Sequence, residues 1–273
     1  MSTATAASVN PISAPLVEMQ AGNVLRLTLS RPERRNSLSE AMMAALGEAL
    51  AAAAADRTVH VIVIAAEGNV FSAGHDLKEL SAHRGDADRG RAYFAEIMGR
   101  CSRLMQAIVA HPKPVIAEVA GVATAAGCQL VASCDLAIAG EGARFQTPGV
   151  HIGLFCSTPM VALSRNVSGK AAMEMLLLGE MVGAEDAKTL GLVNRVIAAD
   201  RVVNEAVDVG RQISEKPKRT LEMGKEAFYR QLEMPLEDAY QYASAVMVEN
   251  ILDEEAKEGI GAFMDKRAPR WPR

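Results

Sequence analysis

The sequence predicts an α/β protein with a largely parallel sheet, because strand-like runs alternate with helix-like segments over most of its length. His60 to Ala66 and Val115 to Val119 are short and rich in Val, Ile and Ala, which is typical of central strands covered on both faces. Helix-like segments lie between such runs, so right-handed crossovers between parallel strands are expected.

The first elements are predicted from the signals at their ends. Val24 to Leu29 is a leucine-rich and β-branched run that ends shortly before Pro32, and we predict it to be the first ordered strand. Ser37 precedes Glu40 by three residues, a capping box that predicts a helix running to about Ala55.

The middle of the chain alternates between helix and strand. A long helix is predicted from about Arg89 to Val109, because Pro112 and Pro114 prevent it from continuing. Gly121 to Gly127 is expected to be a turn of small residues leading into a short helix that ends at Ser133. The other predicted elements are a strand Asp135 to Ala139, helices at about 169–178 and 184–190, and an apolar segment Leu192 to Ile197.

Three parts of the chain are expected: a flexible tail at 1–15, a core at 16–199 and a helical region at 200–273. The helical region divides into amphipathic pieces near Pro217, Pro235 and Asp253. It could pack against a neighbouring subunit, although covering its own core is the simpler interpretation.

Composition excludes several classes of function. The net charge of -4 is spread without basic blocks, so no nucleic-acid partner is expected, and no apolar run is long enough for a membrane span. Residues 1–15 lack the pattern of a secretory signal and the arginines of a mitochondrial presequence. The cysteines have neither zinc-type nor CxxC spacing, which predicts no metal site and favours a reduced, cytoplasmic location; they are Cys101, Cys128, Cys134 and Cys156.

Two loops of small residues follow apolar strands, where ligands bind in parallel sheets. The first is Phe71 to Leu77, and the second, Gly121 to Gln129, leads directly into a helix. Backbone N–H groups in such loops can point outward and hold an oxyanion. Taken alone, either loop is better explained by packing, with Gly121 and Gly127 allowing a helix to lie close to a strand.

Together with their flanking residues, the two loops resemble the crotonase (enoyl-CoA hydratase/isomerase) superfamily over essentially the whole chain after the tail. The matching motifs are Arg31-Pro32, Asn36-Ser37-Leu38, Phe71 to Leu77, Gly121 to Asp135, Gly179 to Val193 and Glu258 to Arg267. Within that superfamily the sequence is most similar to the subgroup of enoyl-CoA hydratase domain-containing protein 3, through Ser72 to Leu80, Ala123 to Asp135 and Gly153 to Pro159.

The resemblance implies a spiral of ββα units with a C-terminal helical region that forms homotrimers or dimers of trimers. It implies an acyl-CoA or enoyl-CoA thioester as ligand, with coenzyme A as part of the substrate and no separate cofactor. The thioester oxygen would be held by the backbone N–H groups of His75 and Ala126, and the adenine would lie near the Ala73 backbone.

Other contacts with coenzyme A are implied by position. The phosphates would meet Arg34, Lys78 or, from a neighbouring subunit, Lys266 beside Phe263, although exposed cations are by default only solvated. Asp76 would either face the rim of the pocket or cap the helix that follows it.

One departure from the family pattern concerns the chemistry. Family hydratases use two glutamates as base and acid, and here those positions carry Gln129 and Gly149. Neither residue can transfer a proton near neutral pH, so standard hydration is doubtful. His151 and the side chain of His75 are candidate replacements, although a solvated or structurally bonded imidazole is the commoner situation.

Two functional hypotheses therefore stay open. The first is an enzyme of the hydratase/isomerase lineage that stabilises a thioester enolate. The second is a non-catalytic protein that binds acyl-CoA or regulates a partner. A nucleotide-binding oxidoreductase is improbable, because the sequence has no GxGxxG or Walker loop.

Overall fold

The computed structural model describes residues 15–272, in which ten strands form two sheets. The strands are β1 (Leu16–Ala21), β2 (Val24–Leu29), β3 (Val61–Ala66), β4 (Val70–Ser72), β5 (Val115–Val119), β6 (Val122–Thr124), β7 (Leu136–Gly140), β8 (Arg144–Gln146), β9 (Val182–Gly183) and β10 (Arg195–Ile197). The larger sheet has the order β1-β2-β3-β5-β7-β10 and is parallel except for the β1–β2 pair. The smaller sheet has the order β4-β6-β8-β9.

Eleven α-helices within the same described residues surround the sheets. They are α1 (Glu40–Ala55), α2 (Leu77–Ala82), α3 (Arg91–Val109), α4 (Ala126–Ser133), α5 (Ser157–Leu163), α6 (Gly169–Leu178), α7 (Ala184–Leu190), α8 (Val202–Ser214), α9 (Lys218–Gln231), α10 (Leu236–Leu252) and α11 (Glu254–Met264). None of these helices combines the length and apolar character that crossing a bilayer requires.

Successive strand pairs divide between the two sheets, which confirms the predicted spiral of ββα units. The pairs β3–β4, β5–β6 and β7–β8 each place one strand in the larger sheet and the next in the smaller one. All of β5 and nearly all of β3 are buried, which explains why their sequences are apolar without alternation. The predicted α/β class is therefore correct.

The first strand was not predicted. The structure begins with β1, so the prediction that Val24 to Leu29 is the first ordered strand is wrong. β1 is an edge strand with four consecutive exposed residues, so it lacks an apolar run. The predicted tail lies outside the described residues except for Pro15, whose carbonyl accepts a hydrogen bond from the Ser30 N–H at 2.9 Å.

The capping box was predicted two residues too early. Helix α1 is capped by Ser39, whose side chain accepts from the Met42 N–H at 3.2 Å. The Ser37 hydroxyl instead donates to Asp76 Oδ2 at 3.3 Å, and the neighbouring Leu38 forms a parallel bridge with His75. This bridge ties the first small-residue loop to the segment before α1.

The predicted turn at Gly121 to Gly127 also needs correction, because it contains β6. Three residues are too few to show a periodic pattern, and β6 exists through its pairing with β4 and β8. A methyl group on Gly121 would lie 2.2 Å from the Asn69 carbonyl oxygen, and one on Gly127 would lie 2.2 Å from that of Ser72. The predicted packing of a helix on a strand is therefore correct for Gly127, which places α4 against β4, whereas Gly121 allows the residue before β6 to approach the residue before β4.

The C-terminal helices are joined to the core by a buried polar cluster. The Lys225 ammonium on α9 donates to Asp135 Oδ2 at 2.7 Å and to the carbonyls of Ile108 and Lys113 at 3.0 and 3.1 Å. The Tyr229 hydroxyl donates to Asp135 Oδ1 at 2.9 Å. Three oxygen acceptors satisfy the three donors of the ammonium, so the buried charge is compensated.

Replacing Lys225 by alanine is expected to destabilise the protein by about 3–5 kcal/mol, because Asp135 would remain as a buried charge without its cation. Urea unfolding measures the change. Lys257→Ala is the matched control, since Lys257 pairs with Glu254 at 3.2 Å on an exposed helix surface and its loss should change stability far less. Equal effects of both substitutions would contradict the role given to the cluster.

A second prediction concerns His111, which is 5% exposed. Its Nε2–H donates to the Leu50 carbonyl at 3.0 Å, and its Nδ1 accepts from the Lys113 N–H at 3.1 Å. Burial lowers the pKa of His111, partly opposed by the Leu50 and Lys113 carbonyls. The unfolded chain therefore binds the proton more tightly, and stability is expected to fall as the pH drops below the ordinary histidine pKa.

This pH dependence is measured as the free energy of unfolding between pH 7 and pH 5.5. His111→Gln should reduce the slope, to which one histidine contributes at most about 1.4 kcal/mol per pH unit. The control is His83→Gln, because His83 is partly exposed and pairs with Asp86 at 2.8 Å. An unchanged slope in His111→Gln would show that His111 is not the titrating group.

Candidate functional site

The two small-residue loops meet beside the ends of β4 and β6. Gly74 has a φ of +82°, and a methyl group built on it would lie 3.0 Å from the Ala126 nitrogen and 3.2 Å from the Thr124 carbonyl oxygen. Only glycine therefore allows both this backbone conformation and this approach of the first loop to the second.

Hydrogen bonds hold each loop in place. The Leu38 N–H donates to the Gly74 carbonyl at 2.8 Å, and the Ala125 N–H donates to the Gln146 carbonyl at 2.9 Å. Within residues 15–272, the N–H groups of His75 and Ala126 donate to no protein acceptor. Ala126 is the first residue of α4, so its N–H has no partner inside the helix.

The backbone conformation of Ala125 is a feature that the sequence did not reveal. Its backbone has φ +50° and ψ −120°, a conformation that L-residues rarely adopt. Such strain is found where the surrounding structure enforces it, often at functional sites. Here the conformation of Ala125 turns the chain from β6 into α4 and places the Ala126 N–H beside Gly74.

An apolar cavity of about 460 Å³ lies at the meeting point of the loops. Its walls come from both loops, from α2 and α3, and from the segment before and at the start of α5. The lining residues are Ala73, His75, Leu77, Leu80, Met98, Ala125, Ala126, Pro148, Gly149, His151, Ile152, Leu154, Phe155, Cys156, Ser157, Thr158 and Pro159. No carboxylate is among these lining residues.

The polar side chains in the cavity differ in their hydrogen bonding. His151 Nε2–H donates to the Leu178 carbonyl at 3.0 Å, so this ring has a structural partner. Both ring nitrogens of His75 are buried and have no hydrogen-bond partner among the described residues. Burial raises the pKa of the Cys156 thiol, with partial opposition from the Gly149 backbone, so the thiol stays protonated near neutral pH.

The structure does not bring Gln129 into this cavity. Gln129 is buried and lines a neighbouring cavity between α3 and α5, which shares Thr158 with the first. Its Oε1 lies 3.9 Å from the Cys101 sulfur.

Gly149 lines the apolar cavity but has no room for a side chain. A methyl group built there would lie 2.8 Å from the Leu154 carbonyl oxygen and 3.0 Å from the Cys156 sulfur. The Leu154 N–H also donates to the Gly149 carbonyl at 2.9 Å, which holds the two segments together. A larger residue at 149 therefore requires the backbone at 154 to move.

Only some of the residues expected to contact coenzyme A lie at or near the cavity. Ala73 lines the cavity, and Arg34 lies 4.0 Å from Asp76 Oδ2. Asp76 caps α2, since its Oδ1 accepts from the Lys78 N–H at 2.8 Å and the Glu79 N–H at 3.4 Å. The capping explanation for Asp76 is therefore correct, while the Lys78 side chain is solvent-exposed.

Phe263 and Lys266 lie at the end of α11, which packs against α9 and α10 rather than against the cavity walls. Phe263 is 85% exposed. Within one copy of the described chain, these two residues therefore do not join the site.

The fold is similar to several solved structures. The enoyl-CoA hydratase of Mycobacterium smegmatis has 51% identity and a TM-score of 0.89, with 94% of this chain and 98% of that chain covered. Human enoyl-CoA hydratase domain-containing protein 3 has 45% identity and the same TM-score, with 94% of this chain and 100% of that chain covered.

Curated relatives correct the expected location. A Xenopus laevis protein named enoyl-CoA hydratase domain-containing protein 3, mitochondrial, is 46% identical over 93% of this chain and 85% of its own length. Mouse and human relatives at 46% and 44% identity carry the same name. The expectation of a cytoplasmic location is contradicted by these names, which point to mitochondria. Unpaired cysteines indicate a reducing environment but do not distinguish between two reducing compartments.

The subgroup resemblance inferred from the motifs is confirmed by these relatives. The family model for enoyl-CoA hydratase/isomerase matches residues 19–273, nearly the whole described chain. With two sheets built from ββα units and a C-terminal helical region, the chain belongs to the enoyl-CoA hydratase/isomerase family and has the crotonase fold.

Proposed function

We propose that this protein binds an acyl-CoA thioester and holds the thioester oxygen between the backbone N–H groups of His75 and Ala126. The observation that carries the proposal is the approach of the two loops, where a methyl group on Gly74 would already lie 3.0 Å from the Ala126 nitrogen. Neither amide has an acceptor in the described part of the chain, and both residues line the same apolar cavity. The acyl chain occupies that cavity.

Two fixed donors on one oxygen stabilise negative charge that develops during enolate formation. In a water-poor site each donor of this kind contributes about 3–4 kcal/mol to the stability of an oxyanion. The N-terminus of α4 adds a favourable dipole, because Ala126 is its first residue. The proposed site therefore polarises a thioester without any charged side chain.

Addition of water across an enoyl-CoA is not part of the proposal. Gln129 lines a different cavity, and Gly149 has neither a side chain nor space for one. These two observations favour a second candidate function, in which the protein binds or presents acyl-CoA without turnover. Both candidate functions use the same pocket. They differ in whether the protein breaks a C–H bond of the bound acyl-CoA.

Contacts outside the cavity complete the proposed binding mode. Arg34 and Lys78 flank the first loop on the solvent side and would meet the phosphates of coenzyme A. Phe263 and Lys266 would reach the ligand only from a neighbouring copy of the chain. Association into a homotrimer or a dimer of trimers would also cover exposed apolar side chains of the C-terminal helices, such as Leu236, 75% exposed, and Leu252, 72% exposed.

Ordinary hydratase activity is expected to be nearly absent. With crotonyl-CoA, loss of the conjugated thioester absorbance should be about 10²–10⁴-fold slower than for a family hydratase that retains both glutamates, because the acid and the base are missing. That hydratase, assayed side by side, is the positive control. Turnover at a comparable rate would refute the interpretation that Gln129 and Gly149 cannot replace the two glutamates.

Binding itself is tested by thermal unfolding with butyryl-CoA. The ligand should raise the Tm by several degrees, because it binds the folded state selectively. Gly74→Ala should lose most of this increase, since its methyl group would press on the Ala126 amide.

Gly22→Ala is the matched control for that experiment. Gly22 also has a positive φ, +63°, but a methyl group there meets nothing within 4 Å and lies in the β1–β2 turn. Both variants carry similar backbone strain, so a loss of the butyryl-CoA effect in Gly74→Ala alone isolates the contact with Ala126. Equal loss in both variants, or no increase in the wild-type protein, would contradict the proposed site.

A further inference from the structure

We infer that the neighbouring cavity between α3 and α5 receives the distal part of a medium-chain acyl group, an inference that rests on the proposed function. The Gln129 side-chain amide then donates a hydrogen bond to an oxygen carried by that chain. The ligand is therefore a medium-chain acyl-CoA with an oxygen substituent beyond the thioester, and Gln129 selects it.

The apolar cavity and the neighbouring cavity are successive parts of one groove. Helix α3 lines the apolar cavity with Met98 and lines the neighbouring cavity with the next residues on the same helix face, such as Ser102 and Met105. The start of α5 lines the apolar cavity, and its later turn lines the neighbouring cavity through Val161. Thr158 belongs to both walls. The neighbouring cavity has a volume of about 500 Å³, so it can hold several carbon atoms of a chain.

Helix α4 contributes a wall that continues from one cavity to the other. Ala126, whose N–H is a proposed donor to the thioester oxygen, lines the apolar cavity, whereas Gln129 and Ser133 line the neighbouring one. Spacings of three and four residues place these side chains on one face of the helix. An acyl chain that starts at the Ala126 N–H and follows this face therefore meets Gln129 first and Ser133 later.

The helix geometry sets the length of the chain that reaches each residue. With a rise of about 1.5 Å per residue, Gln129 lies about 4.5 Å beyond Ala126 along α4, and Ser133 about 10.5 Å beyond it. An extended chain advances about 1.2 Å per bond, since three backbone bonds span about 3.5 Å. Gln129 is therefore level with about the fourth or fifth carbon of the acyl chain. A butyryl group ends before Gln129, whereas an octanoyl group passes it.

The Gln129 side chain has an unpaired donor in the neighbouring cavity. Gln129 is only 5% exposed, and its Oε1 accepts from the Cys101 thiol at 3.9 Å. Burial raises the pKa of that thiol to about 11, so the thiol keeps its hydrogen. Within residues 15–272, Nε2 has no acceptor, but in contrast to the ring nitrogens of His75 it keeps accessible surface.

This donor distinguishes between acyl chains. A plain alkyl chain in the neighbouring cavity would displace water from the Gln129 amide and leave its N–H groups without an acceptor, which is unfavourable for a nearly buried group. An oxygen on the chain at the level of Gln129 would accept from the amide instead. The cavity therefore favours an oxygenated chain over a plain chain of the same length.

Other polar groups of the neighbouring cavity are largely engaged with the protein. Ser133 Oγ donates to a backbone carbonyl of α4 at 2.8 Å, and Gln106 Nε2 donates to a backbone carbonyl of α3 at 3.1 Å. Arg165 and Glu233 are exposed and pair with each other at 3.1 Å, so their charges compensate. The lining residues therefore favour an uncharged chain, and Gln129 supplies the nearly buried amide donor.

The experiment measures the binding of acyl-CoA esters to the full-length protein by calorimetric titration and by thermal unfolding. Octanoyl-CoA should bind at least about tenfold more tightly than butyryl-CoA, because its additional methylene groups leave water. Octanoyl-CoA with a ketone on the fourth or fifth carbon should bind about 3–10-fold more tightly than plain octanoyl-CoA, because the ketone accepts from Gln129. These comparisons use the wild-type protein and need no variant.

Two variants assign the effects to the neighbouring cavity. Gln129→Leu should abolish the advantage of the ketone, since leucine has a similar size but no donor. Ser102→Phe should bring the affinity for octanoyl-CoA close to that for butyryl-CoA, because the ring fills the cavity. Ala95→Phe is the matched control for the second variant, since Ala95 is exposed on the same helix and lines neither cavity.

The possible outcomes separate this inference from the proposed function. Binding of butyryl-CoA without tighter binding of octanoyl-CoA overturns the inference and leaves the proposed function intact, whereas absence of binding by every ester overturns both. A ketone advantage that survives in Gln129→Leu overturns the role of Gln129. Equal affinities of Ser102→Phe and Ala95→Phe for octanoyl-CoA overturn the route into the neighbouring cavity.

Discussion

The close approach of Gly74 to the Ala126 amide is the constraint on which the site depends. It requires a residue without a side chain and with positive φ in the first loop, and a strained alanine, Ala125, in the second. Much of the surrounding structure holds these two segments in place. The Leu38 bridge fixes the first loop, and the hydrogen bond from Ala125 to Gln146 fixes the second.

The helices of the C-terminal region contribute in different ways. Helix α8 packs directly on the larger sheet, where Gly210 lies against Val24 and Val61. Helix α9 is attached through Lys225, Asp135 and Tyr229, and Asp135 directly follows the segment that contains α4. The same buried cluster that anchors the C-terminal helices therefore also fixes the far end of the helix whose N-terminus faces the cavity.

The residue at position 149 of the cavity wall is constrained by its surroundings. A methyl group on Gly149 would lie 2.8 Å from the Leu154 carbonyl oxygen and 3.0 Å from the Cys156 sulfur. The backbone N–H groups of His75 and Ala126 require no particular side chain, so they do not depend on the packing around Gly149.

The sequence by itself determined the family, the parallel sheet, most helix boundaries and the two loops, because these depend on local periodicity, on proline and glycine, and on contiguous motifs. It identified His75, Ala126, Gln129 and Gly149 as positions of interest. It did not reveal β1 or β6, since an exposed edge strand and a three-residue strand are defined by their partners rather than by their own residues. Only the tertiary structure placed Gln129 in a separate cavity, filled the space beside Gly149 and buried the ring nitrogens of His75 without a hydrogen-bond partner from residues 15–272. These outcomes depend on distances between packed segments, which the tertiary structure sets and no periodic pattern in the sequence encodes.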